Sequence, residues 1–319
     1  KEFKEIFGNE LGESLANFFG VKEDESVLYV KDYKELDWKF VRSKLLDYRE
    51  KNKPKPSIDD KIQVSWNGLL ISSLAQIFPE IACKAADFIL NKLYLKGELR
   101  RYWRGGPSSI RGILEDYSFF GNSLLDLFQF TGNYRYLEEA KNIAEVMIQN
   151  FYCSDGGFYN SSNQDLPIRI IDATDGAMPS GNSIAITLLF KLYLITQNEK
   201  YLKLGEISLK KFWKNLSSYP LDYSYLISSI GYLVNPLQLL VVYLKEEDIK
   251  EVLKSLVYNP YKVNIFVKDG ASYPLLENFI RDKRALEGKV TYYLCRSFTC
   301  NLPTNDLSKI LEELSRSFS

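Results

Sequence analysis

Apolar residues recur at intervals of three and four positions along most of the chain, which is the pattern of amphipathic helices. The segments with this pattern are 2–19, 36–51, 66–78, 80–93, 113–131, 134–150, 181–196, 199–215, 223–234, 237–244 and 305–317. Very short connections at 78–79, 131–133 and 197–198 join neighbouring segments, and such connections force consecutive helices to pack antiparallel. The sequence therefore predicts a mostly helical chain built from helical hairpins.

The hairpins resemble one another, because TGNYRYLEEA at 131–140 aligns with TQNEKYLKLG at 196–205. Tight turns close one end of the hairpins, whereas long connections at 94–112 and 151–180 lie at the other end and are rich in Gly, Arg, Asp and aromatic residues. This repeat predicts an array of hairpins. Both sides of helices such as Ile184–Leu194 are apolar, which favours a closed α/α toroid over an open solenoid.

A different pattern appears near the C-terminus. The segments VNIFV (263–267) and VTYYLC (290–295) alternate and are rich in β-branched and aromatic residues. Such segments are typical of strands. We therefore expect them to pair as a small β-element on the rim of the helical toroid.

The composition predicts a soluble globular chain, since 45% of the 319 residues are apolar and 26% are charged. The 41 basic residues balance the 41 acidic ones, so no net charge attracts nucleic acid or a membrane surface. The run Leu237–Leu244, which is apolar except for Gln238, is far shorter than the roughly 20 residues that span a bilayer. Four cysteines are too few for a disulfide scaffold. We expect a cytoplasmic protein with neither nucleic acid nor membrane as a partner.

Histidine is absent from the chain. Its absence excludes Ser-His-Asp and Cys-His nucleophile activation and the usual zinc sites. It also removes the side chain that most often transfers protons near neutral pH. Any chemistry must therefore use carboxylates, Tyr, Lys, Arg or Cys, and we expect no cofactor and no metal.

Three polar clusters stand at the start of the first helix of a hairpin. They are DDKIQVSWNG at 59–68, LEDYSFFGNS at 114–123 and DATDGAMPSGNS at 172–183. Helix N-termini offer unsatisfied N–H groups and a positive end potential to a polar ligand. We therefore expect the helix starts near Trp66, Tyr117 and Asn182 to converge around a shared hollow.

The candidate catalytic groups are carboxylates near these helix starts, because hydrolysis without histidine needs one protonated acid and one ionised base or nucleophile. They are Asp60, Glu115, Asp116 and Asp175. The candidate ligand-binding residues offer aromatic faces, amides, hydroxyls and cations: Lys61, Trp66, Asn67, Tyr102, Trp103, Arg104, Tyr117, Ser180 and Asn182. The alternative interpretation is that the Asp, Ser and Asn residues are helix caps and that the aromatic residues belong to the core.

The segment CRSFTC places four residues between Cys295 and Cys300. The two cysteines could be unrelated reduced thiols, as the compartment favours. The same spacing allows a tight disulfide that serves as a redox pair. Half of a metal site is the third interpretation, which the absence of histidine disfavours.

Four segments, in this order, resemble the helical part of a widespread thioredoxin-domain-containing family of the spermatogenesis-associated type. They are PKPSIDDKIQVSWNGLLISSLA, LEDYSFF, DGAMPSGNS and YYLCRSFTCNLP. The family combines a thioredoxin-like domain carrying a CxxC-type motif with an α/α barrel similar to N-acylglucosamine 2-epimerases and six-hairpin glycosidases. The resemblance implies that residues 1–319 form a single (α/α)6-type barrel domain. It also implies an attached thioredoxin-like domain, preceding residue 1 in the full-length protein.

The resemblance marks a set of positions as family-motif residues. They are Asp59, Asp60, Lys61, Trp66, Asn67, Gly68, Glu115, Asp116, Tyr117, Asp175, Gly176, Ser180, Gly181, Asn182, Cys295 and Cys300. The related epimerases use histidines as acid and base. This chain has none, which disfavours sugar epimerisation.

The leading hypothesis is a carbohydrate- or polyol-binding α/α barrel that could act as a carboxylate-dependent glycoside hydrolase. Aromatic faces together with polar groups suit sugar rings. The alternative is a non-catalytic recognition module for the attached thioredoxin-like domain, with Cys295 and Cys300 as exchanging thiols. A purely structural helical scaffold is the third interpretation, which connections plugging the mouth would support.

Overall fold

The computed structural model describes residues 1–22, 27–30, 36–163, 166–255 and 261–315. The chain divides into two compact units, Lys1–Asp60 and Lys61–Ser319. Each unit is described by itself below. The organisation of residues 1–319 as a single domain stays a prediction.

The described residues of the first unit include the helices α1 (Glu2–Phe7), α2 (Asn9–Phe18) and α3 (Trp38–Asn52). The segment 2–19, predicted as one helix, is divided at Gly8. The φ of Gly8 is 83°, in the left-handed region that glycine adopts without steric cost. Phe3, Leu15 and Val41 belong to a small apolar cluster that holds the three helices together.

Three long hairpins form the helical body of the second unit. They are α4 (Val64–Ala75) with α5 (Pro79–Lys92), α6 (Leu114–Thr131) with α7 (Tyr134–Phe151), and α8 (Gly181–Thr196) with α9 (Glu199–Ser218). The first helices α4, α6 and α8 lie side by side as an inner layer, and each packs against its own second helix. Helices α6 and α8 are buried along almost their whole length, whereas α7 and α9 keep an exposed polar face. This is a two-layer α/α arrangement.

The two segments that align in the sequence form the same turn. The C-cap residues of α6 and α8, Gly132 and Gln197, are both in the left-handed conformation. The following residue, Asn133 or Asn198, caps the next helix: its side-chain oxygen accepts a hydrogen bond from the backbone N–H two residues later. Asparagine is among the best residues for this role. The predicted repeat is therefore confirmed at the level of individual hydrogen bonds.

The inner helices α4 and α6 approach each other closely at Gly68. A methyl group at this position would lie 2.8 Å from the carbonyl carbon of Phe119 and 2.9 Å from the backbone nitrogen of Phe120. Carbon atoms in favourable contact are separated by about 3.5 to 4 Å. Gly68 therefore permits a helix spacing that any larger residue would widen.

Two short antiparallel strand pairs involve the connection between the first and second hairpins. Strand β1 (Ile62–Gln63) pairs with β4 (Tyr102–Trp103), and β2 (Tyr94–Leu95) pairs with β3 (Glu98–Leu99). The first of these pairs binds the residues just before α4 to the connection at 94–112. The long connection is therefore ordered by backbone hydrogen bonds.

A four-stranded sheet follows the helical body. Its strands are β5 (Leu237–Tyr243), β6 (Lys262–Lys268), β7 (Thr291–Arg296) and β8 (Thr299–Cys300), in the order β6-β5-β7-β8. Strands β5 and β6 are parallel, and the other pairs are antiparallel. The remaining helices are α10 (Ser224–Ser229), α11 (Gly231–Val234), α12 (Glu246–Ser255), α13 (Glu277–Ile280) and α14 (Leu307–Ser315), with 3-10 turns at Pro220–Tyr223 and Pro274–Leu276.

The prediction of a helix at 237–244 is wrong, because Leu237–Tyr243 is the central strand β5. All seven residues of β5 are buried, and the six apolar ones divide between the apolar clusters on the two faces of the sheet. A strand buried on both faces has no alternation, so its apolar run resembles that of a buried helix. The segments 263–267 and 290–295 do form strands, although β5 separates them.

The predicted mostly helical α/α architecture with a small β-element near the C-terminus is confirmed. Within the described residues, the inner and outer layers comprise three complete hairpins, and the sheet follows the third. None of the described helices combines the length and the apolar character needed to cross a bilayer.

Candidate functional site

The starts of α4, α6 and α8 are neighbours in the structure. Asp116 near the start of α6 accepts a hydrogen bond from the Ser65 backbone nitrogen of α4 at 3.0 Å. The start of α8 lies against α6 so closely that a methyl group on Gly181 would be 3.0 Å from the Leu114 Cγ. The three helix starts therefore lie together at one end of the inner layer.

Asp116 is fully buried. Its Oδ1 accepts the hydrogen bond from Ser65, and its Oδ2 accepts one from the Ile113 backbone nitrogen at 2.9 Å. Burial raises the pKa of Asp116 to about 6, while the two backbone N–H groups and the Arg101 guanidinium, 3.8 Å away, act in the opposite direction. The side chain joins α4 to α6. A catalytic role for Asp116 stays a prediction.

Asp175 and Ser180 fasten the connection at 151–180 to the helices that follow. The Asp175 Oδ1 accepts hydrogen bonds from the Ser180 backbone nitrogen at 2.8 Å and the Ser183 hydroxyl at 3.0 Å. Its Oδ2 accepts one from the Tyr225 backbone nitrogen at 2.8 Å. Ser180 is the N-cap of α8 and accepts a hydrogen bond from the Ser183 backbone nitrogen. Asp175 therefore links α8 to α10.

Asn182 is fully buried in the first turn of α8. Its Oδ1 accepts a hydrogen bond from the Phe158 backbone nitrogen at 2.7 Å. Its Nδ2 donates to the carbonyl oxygens of Phe158 at 2.9 Å and Asp172 at 2.8 Å. These bonds use both amide hydrogens and the amide oxygen, so Asn182 holds the long connection against the helix.

Tyr117 and Trp103 pack against the core. The Tyr117 hydroxyl accepts a hydrogen bond from the Leu99 backbone nitrogen at 2.9 Å, and its side chain is buried. Trp103 is half-buried and contacts Phe88 edge to face, with ring centroids 5.6 Å apart. Both residues stabilise the connection at 94–112 where it meets the helices.

The other predicted ligand-binding residues of the second unit are more accessible. Trp66 is 58% exposed, and Arg104 is exposed in the connection at 94–112. The Lys61 ammonium lies 5.6 Å from the Tyr102 ring centroid. The Asn67 side chain donates to the carbonyl oxygen four residues earlier. Binding roles for these residues stay predictions, as does a catalytic role for Asp60, an exposed residue at the end of the first unit.

A cavity of about 290 Å³, which we call the mouth cavity, lies between the starts of α6 and α8. Its lining includes Glu115, Asp172, Gly176 and Ser180. The Asp172 Oδ1 accepts hydrogen bonds from the backbone nitrogen and the hydroxyl of Thr174 at 3.0 and 2.8 Å. Of the predicted site residues, Glu115 and Ser180 are thus brought together here.

Cys295 and Cys300 form a disulfide between the paired strands β7 and β8. Cys295 is fully buried and Cys300 is half-buried. Cys83 and Cys153 are free. Over the part of the chain that the structure describes, no group of three or more His, Cys, Asp or Glu residues could hold a metal ion. Thiol exchange by Cys295 and Cys300 stays a prediction.

A larger polar cavity lies further along the inner helices. It has a volume of about 410 Å³ and is lined by the C-terminal halves of α4 and α6, by the middle of α8, by α10 and α11, and by the start of β6. We call it the inner-face cavity. Its lining combines hydroxyl, amide and charged groups with the rings of Tyr225, Tyr232 and Tyr261.

A buried ion pair is the centre of this cavity's polar network. The Lys191 Nζ lies 2.8 Å from the Asp126 Oδ1 and 3.0 Å from the Asn122 Oδ1. The Asp126 carboxylate also accepts hydrogen bonds from the Ser72 hydroxyl at 2.7 Å, the Asn122 amide at 3.0 Å and the Gln129 amide at 3.3 Å. Burial disfavours the charged lysine, but the Asp126 carboxylate raises the pKa of Lys191 above its ordinary value. Three inner helices therefore share one ionised network.

Lys262 is the second cation of the inner-face cavity. It is the first residue of β6, and only 6% of its surface is exposed. Burial lowers the pKa of Lys262 to about 8. The lysine therefore remains mostly protonated at pH 7.

The sequence interpretation missed the inner-face cavity. Asn122, Asp126 and Gln129 recur at spacings of four and three in the otherwise apolar helix α6, and Lys191 interrupts the apolar run of α8. Polar residues at helical spacing within an apolar helix indicate an inward-facing polar stripe. This spacing was the available signal. A single lysine in a helix is, however, equally compatible with an exposed position.

These features define a helical-hairpin α/α protein with a polar cavity along its inner helices. No protein-family model matches the chain. Its homologues include spermatogenesis-associated protein 20 of Homo sapiens, which is 27% identical over 285 residues covering 80% of this chain and 36% of that protein. An uncharacterised protein of Caenorhabditis elegans is 27% identical over 286 residues, covering 83% of this chain and 39% of that protein. The family resemblance predicted from the four motifs is confirmed, and the chain spans little more than a third of these relatives' length.

Solved structures with a similar arrangement of helices include glycoside hydrolases. A family 76 α-mannanase of Bacteroides thetaiotaomicron has a TM-score of 0.43 and 16% identity, covering 56% of this chain and 54% of that chain. A family 105 glycoside hydrolase of C. acetobutylicum has a TM-score of 0.37 and 11% identity, covering 53% of this chain and 56% of that chain. Similarity at this level carries no information about the activity of this chain.

Proposed function

We propose that this chain binds a small polyhydroxylated ligand, a sugar or a polyol, in the inner-face cavity. The observation that carries this proposal is the ionised network of Asp126, Lys191 and Asn122 at the wall of a 410 Å³ cavity. Buried charged networks are expensive to maintain, and a hydrophobic replacement is often at least as stable. A network that also lines a cavity is therefore better explained by ligand binding than by stability.

The size and the lining of the cavity match this ligand class. Small-molecule sites typically enclose about 300 to 1,000 Å³ and place a few polar groups among apolar and aromatic ones. A polyol hydroxyl both donates and accepts hydrogen bonds, and the amides and hydroxyls of Asn122, Gln129 and Thr187 can supply both functions. The C–H faces of a sugar would pack against the tyrosine rings.

Binding has more support than hydrolysis in this cavity. Glycoside hydrolysis uses two carboxyl groups that are about 5 to 9.5 Å apart. Among the described residues that line the cavity, Asp126 is the only carboxylate, and Lys191 and its other partners engage both its oxygens. Glu115 stands eleven residues earlier on the same helix, which is about 16 Å along the axis at roughly 1.5 Å per residue. Hydrolysis would need a second carboxylate from another part of the molecule.

The mouth cavity fits an entrance role in the same proposal. Glu115 and Ser180 offer polar groups to a ligand at the helix starts. The exposed ring of Trp66 offers an apolar face at the same end of the inner layer. The predicted ligand-binding residues at the helix starts would then contact a polyol either as it enters or while it is bound in the inner-face cavity.

The proposal predicts a steric effect at Ser73, an exposed residue of α4 that lines the inner-face cavity. Ser73→Trp places a large ring in the cavity without removing a member of the ionised network. We expect the variant to bind sugars or polyols at least about 10-fold more weakly than the wild type, a loss of about 1.4 kcal/mol. Isothermal titration calorimetry with a panel of hexoses, pentoses and their alditols measures this loss.

Ser217→Trp is the matched control, because Ser217 is exposed on the outer helix α9 and does not line the cavity. Its affinity for the same compounds should equal that of the wild type. If no compound of the panel binds with a Kd below about 10 mM, the proposed function is wrong. Equal binding by wild type and Ser73→Trp would show that any ligand site lies elsewhere.

A second candidate function has one specific observation in its favour, the disulfide whose half-buried Cys300 lies on the short strand β8. We propose that a thioredoxin-like domain undergoes thiol–disulfide exchange with this disulfide. The partner's thiolate would attack the Cys300 sulfur, break the S–S bond and release the Cys295 thiolate, and the partner would supply both electrons. Cys295, which is fully buried, would be the leaving sulfur.

A thioredoxin lacking its resolving cysteine tests this exchange by trapping a mixed disulfide. We expect a trapped complex with the wild type and with Cys83→Ser, but none with Cys300→Ser. Mass spectrometry after alkylation should show the two free thiols before reduction and four after it. Four labelled thiols in the unreduced protein would contradict the exchange role.

A further inference from the structure

The parallel strands β5 and β6 end side by side, with Tyr243 paired to Lys268. The connections that leave these two ends go to opposite faces of the sheet. Helix α12, which follows β5, contributes Ile249 to the apolar cluster on one face, whereas α13, which follows β6, contributes Phe279 to the cluster on the other face. In open α/β sheets, ligands bind in the crevice outside the carboxyl ends of the strands, at the point where the connections diverge. The ends of β5 and β6 therefore mark a position that suits a ligand.

A cavity of about 350 Å³ lies at this position, and we call it the strand-end cavity. Its lining combines residues from the ends of β5 and β6, the turn at 269–273, α13 and the segment 281–284. The Tyr273 hydroxyl accepts a hydrogen bond from the Lys268 backbone nitrogen at 2.9 Å, so the turn is held against the end of β6. Small-molecule sites typically enclose about 300 to 1,000 Å³. The strand-end cavity is therefore large enough for a small ligand, and it is partly open to solvent.

Basic side chains outnumber acidic ones in this lining. The basic residues are Lys268, Arg281, Lys283 and Arg284, and the acidic ones are Asp269 and Glu277. Over the part of the chain that the structure describes, none of these four cations forms an ion pair with a carboxylate. Burial lowers the pKa of Lys283, and the nearby Asp282 carboxylate offsets this effect only in part. The lining therefore favours an anion.

Two of the four cations already hold backbone groups. The Lys283 Nζ donates to the Phe279 carbonyl oxygen at 2.6 Å, and the Arg284 Nη1 donates to the Lys283 carbonyl oxygen at 2.8 Å. Lys268 and Arg281, by contrast, are exposed, and their side chains make no hydrogen bond to a described residue. A guanidinium can donate two parallel hydrogen bonds to one phosphate group, and an ammonium acts as a point charge beside it. Lys268 and Arg281 are therefore available to a ligand.

We propose that the strand-end cavity binds the phosphate group of a small phosphorylated molecule, with Lys268 and Arg281 as the residues that contact it. A phosphate monoester carries about −1.5 to −2 charges at pH 7, and the lining has two more cations than carboxylates. Because the cavity is partly open, the rest of the molecule can extend into solvent. The strand-end cavity shares no lining residue with the inner-face cavity, so this inference does not depend on the proposed function.

Isothermal titration calorimetry at constant ionic strength tests the proposal with inorganic phosphate, ethyl phosphate and acetate. We expect the wild type to bind ethyl phosphate with a Kd of about 1 mM or lower. Inorganic phosphate should bind with similar affinity, because the phosphate group is the part that is recognised. Acetate should bind at least about 10-fold more weakly, since it carries less charge and offers fewer acceptor oxygens to the cations.

Substitutions locate the site. Arg281→Gln and Lys268→Gln should each weaken the binding of ethyl phosphate at least about 5-fold, because each removes a charge-assisted contact. Arg281→Lys should fall between wild type and Arg281→Gln, since it keeps the charge but loses the bidentate geometry. Lys214→Gln is the matched control, because Lys214 is exposed on α9 and does not line the cavity. Its affinity should equal that of the wild type.

Three results would overturn the inference. The first is a wild type that binds neither phosphate compound with a Kd below about 10 mM. The second is an affinity for ethyl phosphate that stays unchanged in both Arg281→Gln and Lys268→Gln, which would place the anion elsewhere. The third is acetate binding as tight as that of ethyl phosphate, which would show that the cavity does not select a phosphate group. Circular dichroism verifies the fold of each variant, and if one variant does not fold, the other decides.

Discussion

Replacing Lys191 with methionine is expected to lower the free energy of unfolding by about 3 to 5 kcal/mol, as when one partner of a buried ion pair is removed. The Lys191 side chain is 10% exposed, and its partner Asp126 is 13% exposed. Without the ammonium, the carboxylate stays buried with only neutral hydrogen-bond donors, Ser72, Asn122 and Gln129. Because these donors still stabilise the carboxylate, the expected loss in the free energy of unfolding is nearer to about 3 kcal/mol than to about 5 kcal/mol.

Urea unfolding followed by circular dichroism measures this loss. Lys200→Met is the control, because Lys200 pairs with Glu145 near the surface with side chains 46% and 33% exposed, and such pairs contribute about 0 to 1 kcal/mol. The double variant Lys191→Met with Asp126→Leu should recover part of the lost stability, since no charge remains buried without a counter-ion. A Lys191→Met loss no larger than that of Lys200→Met would contradict the ionised network.

The second large effect is a pH dependence of stability that depends on Asp116. Its pKa is about 6 in the folded protein, against 3.8 for an unperturbed group, because burial disfavours the carboxylate. The folded state therefore binds the proton more tightly than the unfolded state. The stabilising contribution of the protonated group is complete below about pH 4 and is lost as the pH rises through about 6. The loss is on the order of 3 kcal/mol, at about 1.4 kcal/mol per pKa unit.

Asp116→Asn isolates this contribution, because asparagine does not titrate. The stability advantage of wild type over Asp116→Asn, measured by urea unfolding at intervals from pH 4 to pH 7.5, should shrink as the pH rises. Asp282→Asn, at an exposed position, controls for the general effect of removing a carboxylate. A wild-type advantage that grows with pH would show that the Ser65 and Ile113 hydrogen bonds outweigh burial, and would contradict the raised pKa.

Much of the helical architecture could be predicted because local signals and packing agree in it. The turns at Gly132 and Gln197 are followed by Asn133 and Asn198, and these residues form caps in the structure as their types favour. The strand β5 could not be predicted, since its neighbours in the sheet come from distant parts of the chain. Its apolar run is compatible with either structure until those neighbours are known.

The helix-start clusters and the inner-face cavity show a different limit of prediction from the sequence. Asp116, Asp175 and Asn182 can be singled out from the sequence, because polar residues at helix starts are recognisable there. In the structure their side chains bind backbone groups and fix the connections. Asp126 and Lys191 stand 65 residues apart, and no local pattern indicates that they form a pair. The spacing of Asn122, Asp126 and Gln129 could indicate an inward face of α6, but the partner of Asp126 depends on how the helices pack.

The close approach at Gly68 has a consequence for the interior chemistry. Ser72 stands one helical turn after Gly68, on the same side of α4, and its short hydroxyl reaches the Asp126 carboxylate at 2.7 Å. A wider gap between the two helices would leave that hydroxyl too far from its acceptor. Gly68, which has no side chain, thus sets the distance between α4 and α6 and allows the Ser72 hydroxyl to reach its acceptor. Mutational surveys limited to residues that contact a ligand would overlook Gly68.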